Sequence, residues 1–342
     1  MSLEPIAVAV VGAGGWGKNL VRNFATLPGA ELRYVCDRAE AARAQVRAQY
    51  PSVKVVEDLD DVLADDEVRA VVIASDAASH EELARRALLA GRDVFVEKPL
   101  TLSASSSAAL CELADRGERI LMVGHLLLYH PAIEKLRALI DAGELGEVLY
   151  LASQRTNLGV VRRDENAWWS LAPHDVAVAN YLLGVRADSV SASGGVFLQK
   201  ERAIEDVVFA TVKYAGGKLA HVHVSWLDPH KTRRLTVVGD RKMAVFDDTS
   251  PDQKLMLFDK GVEVPPPALS YAEGVRVRTG DIVVPALRMT EPLRRECEDF
   301  LESVRTRRPP RADGRSGWEV VRVLEAGARS LAEAGRRVDI GL

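Results

Sequence analysis

Ile6-Ala-Val-Ala-Val-Val-Gly-Ala-Gly-Gly-Trp-Gly17 decides the fold of the first half of this chain. The six apolar residues Ile6 to Val11 read as a buried strand, and Lys18 to Ala25 reads as a helix. Between them Gly12, Gly14 and Gly17 match the G-x-G-x-x-G spacing, with Gly15 and Trp16 completing the turn. Gly12 permits the tight turn, Gly14 lets a pyrophosphate approach backbone N–H groups at the helix N-terminus, and Gly17 lets helix and strand pack closely. The next apolar run, Leu32 to Cys36, ends at Asp37, 20 residues beyond Gly17. A carboxylate there accepts hydrogen bonds from the adenosine ribose hydroxyls and repels a 2′-phosphate, which favours NAD over NADP. Arg38 keeps NADP open, because a guanidinium beside that position pairs with phosphate.

Outward from this stretch, short apolar runs alternate with helical patterns as far as residue 124. Val53 to Val56, Ala70 to Ala74, Val94 to Val96 and Ile120 to Val123 read as strands, with Glu81 to Leu89 and Ala104 to Ala114 as helices between them. The pattern predicts a doubly wound parallel sheet, a Rossmann domain over residues 1–124. From Glu147 the texture changes. Val148 to Gln154, Val207 to Lys213, Leu219 to Ser225 and Leu235 to Val238 are strand candidates, and Ala215-Gly-Gly-Lys218 joins two of them as a hairpin. A second α+β domain over residues 125–314, built on a large and mostly antiparallel open sheet, is therefore expected, with a helical insertion from Pro173 to Leu183. Val264 to Gly280 reads as a loop. Helical periodicity returns at Pro292 to Val304 and at Trp318 to Ala334, the second within a C-terminal helix expected over about 315–338.

Composition limits the function classes. The 342 residues carry 45 Lys+Arg against 49 Asp+Glu, a net charge of −4, which disfavours a nucleic-acid partner. Apolar residues at 47% and charged residues at 27% describe an ordinary globular chain, and 342 residues exceed what one core usually supports. Cys36, Cys111 and Cys297 show no paired spacing, so a reducing cytoplasm is the expected location and a disulfide framework is not. No basic residue precedes Lys18, against a signal peptide, and no apolar run approaches the roughly 18 residues of a membrane span.

Val94-Phe-Val-Glu97-Lys98-Pro99 closes a strand with a charged pair before a proline. Pro99 biases Lys98 away from helix, at the carboxyl end of a parallel strand where such sheets bind ligands. A lysine there can hold a substrate hydroxyl and favour its alkoxide. These residues resemble the Gfo/Idh/MocA oxidoreductase family, whose cofactor domain carries a Gly-rich turn, a Glu-Lys-Pro motif and a Gly-His dipeptide in that order. Here they are Gly12 to Gly17, Glu97-Lys98-Pro99 and Gly124-His125. The resemblance spans the whole chain, through Gln154-Arg155-Thr-Asn157 to the C-terminal helix, which in the family returns to the cofactor domain. It implies that Lys98 is catalytic, that Glu97 and Pro99 line the nicotinamide pocket with His125, and that Ser75 to His80 form a loop beside the cofactor. Within the family the pattern is most similar to the nucleotide-sugar branch, and in particular to enzymes oxidising UDP-N-acetylglucosamine at C3 to a 3-keto sugar.

Trp168-Trp169-Ser170-Leu-Ala-Pro173-His174-Asp175 supplies the second half of the candidate site. Pro173 suits the first turn of a helix, which would place His174 near a positive helix end and keep its ring neutral as a general base. The family's usual aspartate, four residues before this histidine, is Ser170 here, and Asp175 is adjacent. Tyr129, Arg155, Asn157, Trp169 and Asp175 are the further substrate candidates; His130 lies close enough to Tyr129 to reach the same cleft. Arg155, Arg162 and Arg163 suit a diphosphate. His221 and His223 share a strand face, but with no third ligand evident they read as sheet-face residues and no metal is expected. The expected activity is NAD-dependent oxidation of a sugar or nucleotide-sugar hydroxyl. The alternatives are an NADPH-dependent sugar 3-ketoreductase of deoxysugar biosynthesis and a non-catalytic dinucleotide-sensing regulator. The family covers the open sheet by pairing subunits, so a homodimer or homotetramer is expected.

Overall fold

The computed structural model of the chain describes residues 4–159, 161–163, 165–263 and 276–341. It divides into two compact units, Met1–Tyr129 with Thr290–Arg322, and His130–Met289 with Val323–Leu342.

The first unit is built on a sheet of β1 (Ile6–Val11), β2 (Ala30–Cys36), β3 (Lys54–Val56), β4 (Ala70–Ile73), β5 (Asp93–Glu97) and β6 (Leu121–Gly124). Its six strands run in the order β3-β2-β1-β4-β5-β6, all parallel. The crossovers are α1 (Gly17–Thr26), α2 (Glu40–Gln49), α3 (Leu59–Leu63), α4 (Ala77–Leu89) and α5 (Ala104–Arg116). Every residue of β1, β4 and β5 is buried, as strands covered on both faces require. The strand order reverses between β1 and β4, so the connections at their carboxyl ends diverge, the place where such sheets bind dinucleotides.

In the second unit α6 (Pro131–Asp141) is followed by β7 (Val148–Thr156), α7 (Ala167–Leu183) and β8 (Ala187–Gly195). Then come β9 (Val207–Tyr214), β10 (Leu219–Ser225), β11 (Thr232–Gly239), β12 (Met243–Asp247), β13 (Leu255–Phe258), β14 (Gly261–Glu263), β15 (Arg276–Arg278) and β16 (Ile282–Val283). Two helices and a strand close the chain: α8 (Pro292–Thr306), α9 (Gly314–Ala332) and β17 (Val338–Asp339). Among the described residues a nine-stranded sheet runs β16-β13-β12-β11-β7-β10-β9-β8-β17, antiparallel except where β7 meets β10. The expected hairpin joins β9 to β10, with Gly216 and Gly217 at φ 76° and 78°. One face of the sheet, carrying Val208, Ala210, Val212, Ala220, Val222 and Val224, is buried, and α7 packs on its β10. Tyr150, Phe209 and Leu219 stand exposed on the other.

Three boundaries differ from expectation. The first unit extends past residue 124 to Tyr129, and α8, expected in the second domain, belongs to the first. Phe300 of α8 meets Phe24 and Phe95 at ring-centroid distances of 6.5 and 5.6 Å, and that aromatic contact assigns the helix to its core. The C-terminal helix is shared: a Cβ on Gly317 would stand 2.4 Å from Val123, whereas Leu324 accepts the Trp168 indole N–H at 2.9 Å within the second unit. The expected loop from Val264 to Gly280 lies outside the described residues over 264–275, and its following residues, Arg276–Arg278, form β15.

Candidate active site

In the first unit the sequence-predicted cofactor residues gather at the carboxyl ends of β1, β2, β4, β5 and β6. Gly12, at φ 92°, admits no side chain, since a Cβ would lie 2.7 Å from the backbone of Ala74 and Ser75. A Cβ on Gly17 would be 2.0 Å from the Gly12 carbonyl oxygen, so strand and helix close on each other through these two positions. Gly14 and Gly15 face open space, and no side chain caps the N-terminus of α1. The Lys18 and Asn19 N–H groups donate to the Gly14 and Trp16 carbonyls at 3.3 and 2.8 Å, and the positive helix pole is left to an anion. Asp37 stands beside the loop, its carboxylate accepting the Ala13 N–H at 2.7 Å and the Ala39 N–H at 2.8 Å. Lone pairs remain on both oxygens for ribose hydroxyls. Arg38 is exposed next to it.

Trp16, 43% exposed, donates its indole N–H to Glu97 at 2.6 Å. Glu97 also accepts the Lys98 N–H at 3.2 Å. Burial pushes its carboxyl above the ordinary glutamate range, against the pull of the Trp16 bond and the Lys98 charge. Gly124 leaves room for Glu97 in this position, since a Cβ there would stand 2.8 Å from its carboxyl and the side chain would have to shift. Lys98 is half-buried, joined to Pro99 by a cis bond. His125 is buried, and neither ring nitrogen has a hydrogen-bond partner among the described residues. Burial, reinforced by the Lys98 charge, lowers its pKa to about 3. These features fit a bound dinucleotide: a glycine cradle, an uncapped helix end, a carboxylate at the ribose position and an orphaned polar ring beside the Glu-Lys-Pro turn.

The histidine carries a consequence for pH. Between pH 6.5 and 3 an unfolded His125 takes a proton that the native one does not, so folding stability falls as pH drops through that window. A His125→Phe variant is expected to lose this component, worth about 3 kcal/mol between the two conditions, in urea unfolding of the NAD-free protein at pH 7 and pH 4. Equal pH dependence in the two proteins would contradict the buried neutral ring.

Two residues expected at ligands have other work. His80 is buried, its ring nitrogens 2.8 Å from the Pro99 carbonyl and 3.1 Å from the Ser75 carbonyl. Burial keeps the ring neutral, so its single N–H donates to one of these carbonyls and both nitrogens face protein backbone between the Glu-Lys-Pro turn and the β4–α4 connection. Ser75 pairs with Ser79 on that connection at 2.7 Å. Tyr129, expected at the substrate, is 1% exposed and donates its hydroxyl to Asp299 at 2.7 Å, with Arg311 over its ring. Sequence reasoning also passed over Glu296. It is fully buried on the apolar stripe of α8 formed by Leu293, Cys297, Phe300 and Val304. Burial first, and then the nearby Glu97 charge, hold its carboxyl well above the ordinary range. A carboxylate on an otherwise apolar helical stripe was the available signal.

In the second unit α7 begins at Ala167, six residues before Pro173, because the Asn166 side chain accepts the Trp169 N–H at 3.1 Å as an N-cap. Pro173 is therefore inside the helix and His174 lies beyond its first turn, where the helix-end field has faded. The positive-end argument for a neutral His174 does not apply. Ser170 and His174 stand one turn apart on one helical face. Arg155 on β7, expected at a diphosphate, is buried and donates to Asp175 on α7 at 2.6 Å. Both members of that pair are committed to each other. Asn157 and Trp169 are half-buried, and His130 caps α6 by accepting the Ala132 N–H. His223 stacks on Phe209 at 4.3 Å beside His221 on the open sheet face, and no metal-binding group occurs among the described residues.

An oxidoreductase class follows from a dinucleotide loop joined to a lysine at a strand end. The family model for the oxidoreductase family with an NAD-binding Rossmann fold matches residues 6–125, and the GFO/IDH/MocA C-terminal domain matches residues 133–245. The chain belongs to the Gfo/Idh/MocA family, and its first unit is an NAD-binding Rossmann domain. It is similar to UDP-N-acetylglucosamine 3-dehydrogenase GnnA from Acidithiobacillus ferrooxidans, at 25% identity and a TM-score of 0.82 over 98% of this chain and 100% of that one. GenD2 from gentamicin A biosynthesis, solved in complex with NAD, matches at 25% identity and a TM-score of 0.84 over 100% of this chain and 98% of its own. The scyllo-inositol 2-dehydrogenase (NAD(+)) of Bacillus subtilis (strain 168) is 29% identical over 234 residues, 66% of this chain and 68% of that enzyme. Among the described residues no helix is long and apolar enough to cross a membrane.

Proposed function

We propose that this oxidoreductase uses NAD to oxidise a ring hydroxyl, at C3, of a nucleotide sugar such as UDP-N-acetylglucosamine. Similarity along nearly the full length to an enzyme of that name supports the reading, and the β7–α7 connection carries it. There the Gln199 amide and the Arg202 guanidinium donate to the carbonyls of Arg162 and Arg163, at 2.5 and 3.2 Å, tethering two exposed arginines. Arg162 also pairs with Glu165 at 2.9 Å. A diphosphate needs such cations, and a free cyclitol does not.

Held by the Gly12 to Gly17 loop and Asp37, NAD would supply the hydride acceptor for the oxidation. Lys98 holds the substrate hydroxyl and stabilises the charge that grows on its oxygen; His174 takes the hydroxyl proton. With Ser170 where the family's aspartate usually stands, that proton leaves through His174 and solvent. Asn157 and Trp169 contact the sugar. Three buried free cysteines suit a reducing cytoplasm. The open sheet face with Tyr150, Phe209 and Leu219 pairs with a second copy, which light scattering checks: a monomer would be the contrary result.

The deciding experiment follows absorbance of the reduced nicotinamide with a panel of UDP-sugars and inositols. Oxidation of a UDP-sugar with NAD and none of an inositol is expected. Inositol oxidation alone would overturn the nucleotide-sugar reading, and keto-sugar reduction with NADPH alone would favour a ketoreductase.

A further inference from the structure

Arg43, on α2, is 9% exposed, and only it and Val46 are buried on that helix. A guanidinium is costly to bury unless its donors are met. Here one terminal nitrogen donates to the carbonyls of Asp37 and Arg38, at 2.7 and 2.8 Å. The remaining nitrogens reach Glu40 at 2.9 and 2.7 Å, and Glu57, beyond β3, at 2.9 Å. One side chain thus gathers the β2–α2 turn, the start of α2 and the segment after β3.

This turn presents Asp37 and Arg38, at the end of β2. Asp37 is aimed entirely by backbone: its N–H donates to Val56 at 3.1 Å, and its carboxylate accepts from Ala13 and Ala39. The direction of that carboxylate therefore follows the path of the turn. Arg38, whose guanidinium suits a 2′-phosphate, hangs from the second carbonyl that Arg43 holds.

We propose that Arg43 is a positioning residue for cofactor choice, fixing the turn so that Asp37 meets the ribose hydroxyls and opposes a 2′-phosphate. The proposal rests on the reading of Asp37 as the ribose acceptor. With the guanidinium removed, the turn loosens, NAD loses a placed acceptor, and a 2′-phosphate meets a carboxylate that can turn away from it while Arg38 turns toward it.

Isothermal titration of NAD and NADP against wild type, Arg43→Met, Arg43→Lys and Asp37→Ala tests this, with a melting curve for each protein. Arg43→Met is expected to weaken NAD by about tenfold and to change NADP by less than about threefold, so that discrimination shrinks. Arg43→Lys falls between, because one ammonium cannot span two carbonyls and two carboxylates, and it carries the test if the methionine variant does not fold. An unchanged NAD-to-NADP ratio in the Arg43 variants, or parallel losses of both ligands with a lowered Tm, overturns the proposal. Should Asp37→Ala itself leave the ratio unchanged, the Asp37 reading falls and this proposal with it. If Asp37→Ala collapses the ratio and the Arg43 variants do not, Arg43 alone is ruled out.

Discussion

Lys98→Met is expected to lower kcat on the cognate sugar by at least about 100-fold while the variant still binds NAD. The residue closes β5 in a turn whose neighbours are already placed, with Glu97 held by Trp16 and by the Lys98 N–H, and Pro99 by His80. Methionine keeps the length and packing of the stem and removes the charge, so the loss reports on the ammonium group proposed to meet the hydroxyl. His174→Gln is expected to lose a similar factor. Because the two act on one proton transfer, the double variant should fall little further than either alone. Steady-state rates at saturating NAD decide the matter, and turnover within a few-fold of wild type in either single variant would contradict the proposed chemistry.

Arg155→Ala should cost the folded protein about 3–5 kcal/mol, the range found when one partner of a buried ion pair is removed. Asp175 is 7% exposed, and its deprived carboxylate would remain in the interior of the second unit between β7 and α7. The double variant Arg155→Met, Asp175→Leu should recover most of the loss, because apolar residues of similar volume leave no stranded charge. Chemical denaturation measures both. A single variant as stable as wild type would mean that the pair does not hold α7 against the sheet, and the arginine would again be open to a diphosphate.

Particular residues show how far the chain can be understood from its order alone. The glycine loop and the place of Asp37 beside it were legible because they depend on spacing within one strand–turn–helix unit, where a few adjacent dihedral angles set the geometry. The place of Lys98 at the end of β5 was legible for a related reason: a proline after a strand end leaves few paths for the chain. Tyr129, His80 and Arg155 were not. Each carries a group suited to a ligand, and each has it engaged by a residue on another element: Asp299 for the tyrosine, Pro99 for the histidine, and Asp175 for the arginine. The start of α7 was misplaced because Pro173 suits a first helical turn in general, whereas here Asn166 caps the helix earlier and Trp168 is held in the interior by Leu324.

By itself the sequence determined the parallel NAD-binding sheet, the position of its phosphate loop and the Glu-Lys-Pro turn, since period, spacing and turn chemistry are local properties. Only the tertiary structure decided which core claims α8, that α9 is shared between the units, and which charged or hydroxyl groups remain for a ligand. Burial and hydrogen-bond satisfaction are settled by partners far along the chain: Phe300 finds Phe24 and Phe95, and Tyr129 finds Asp299.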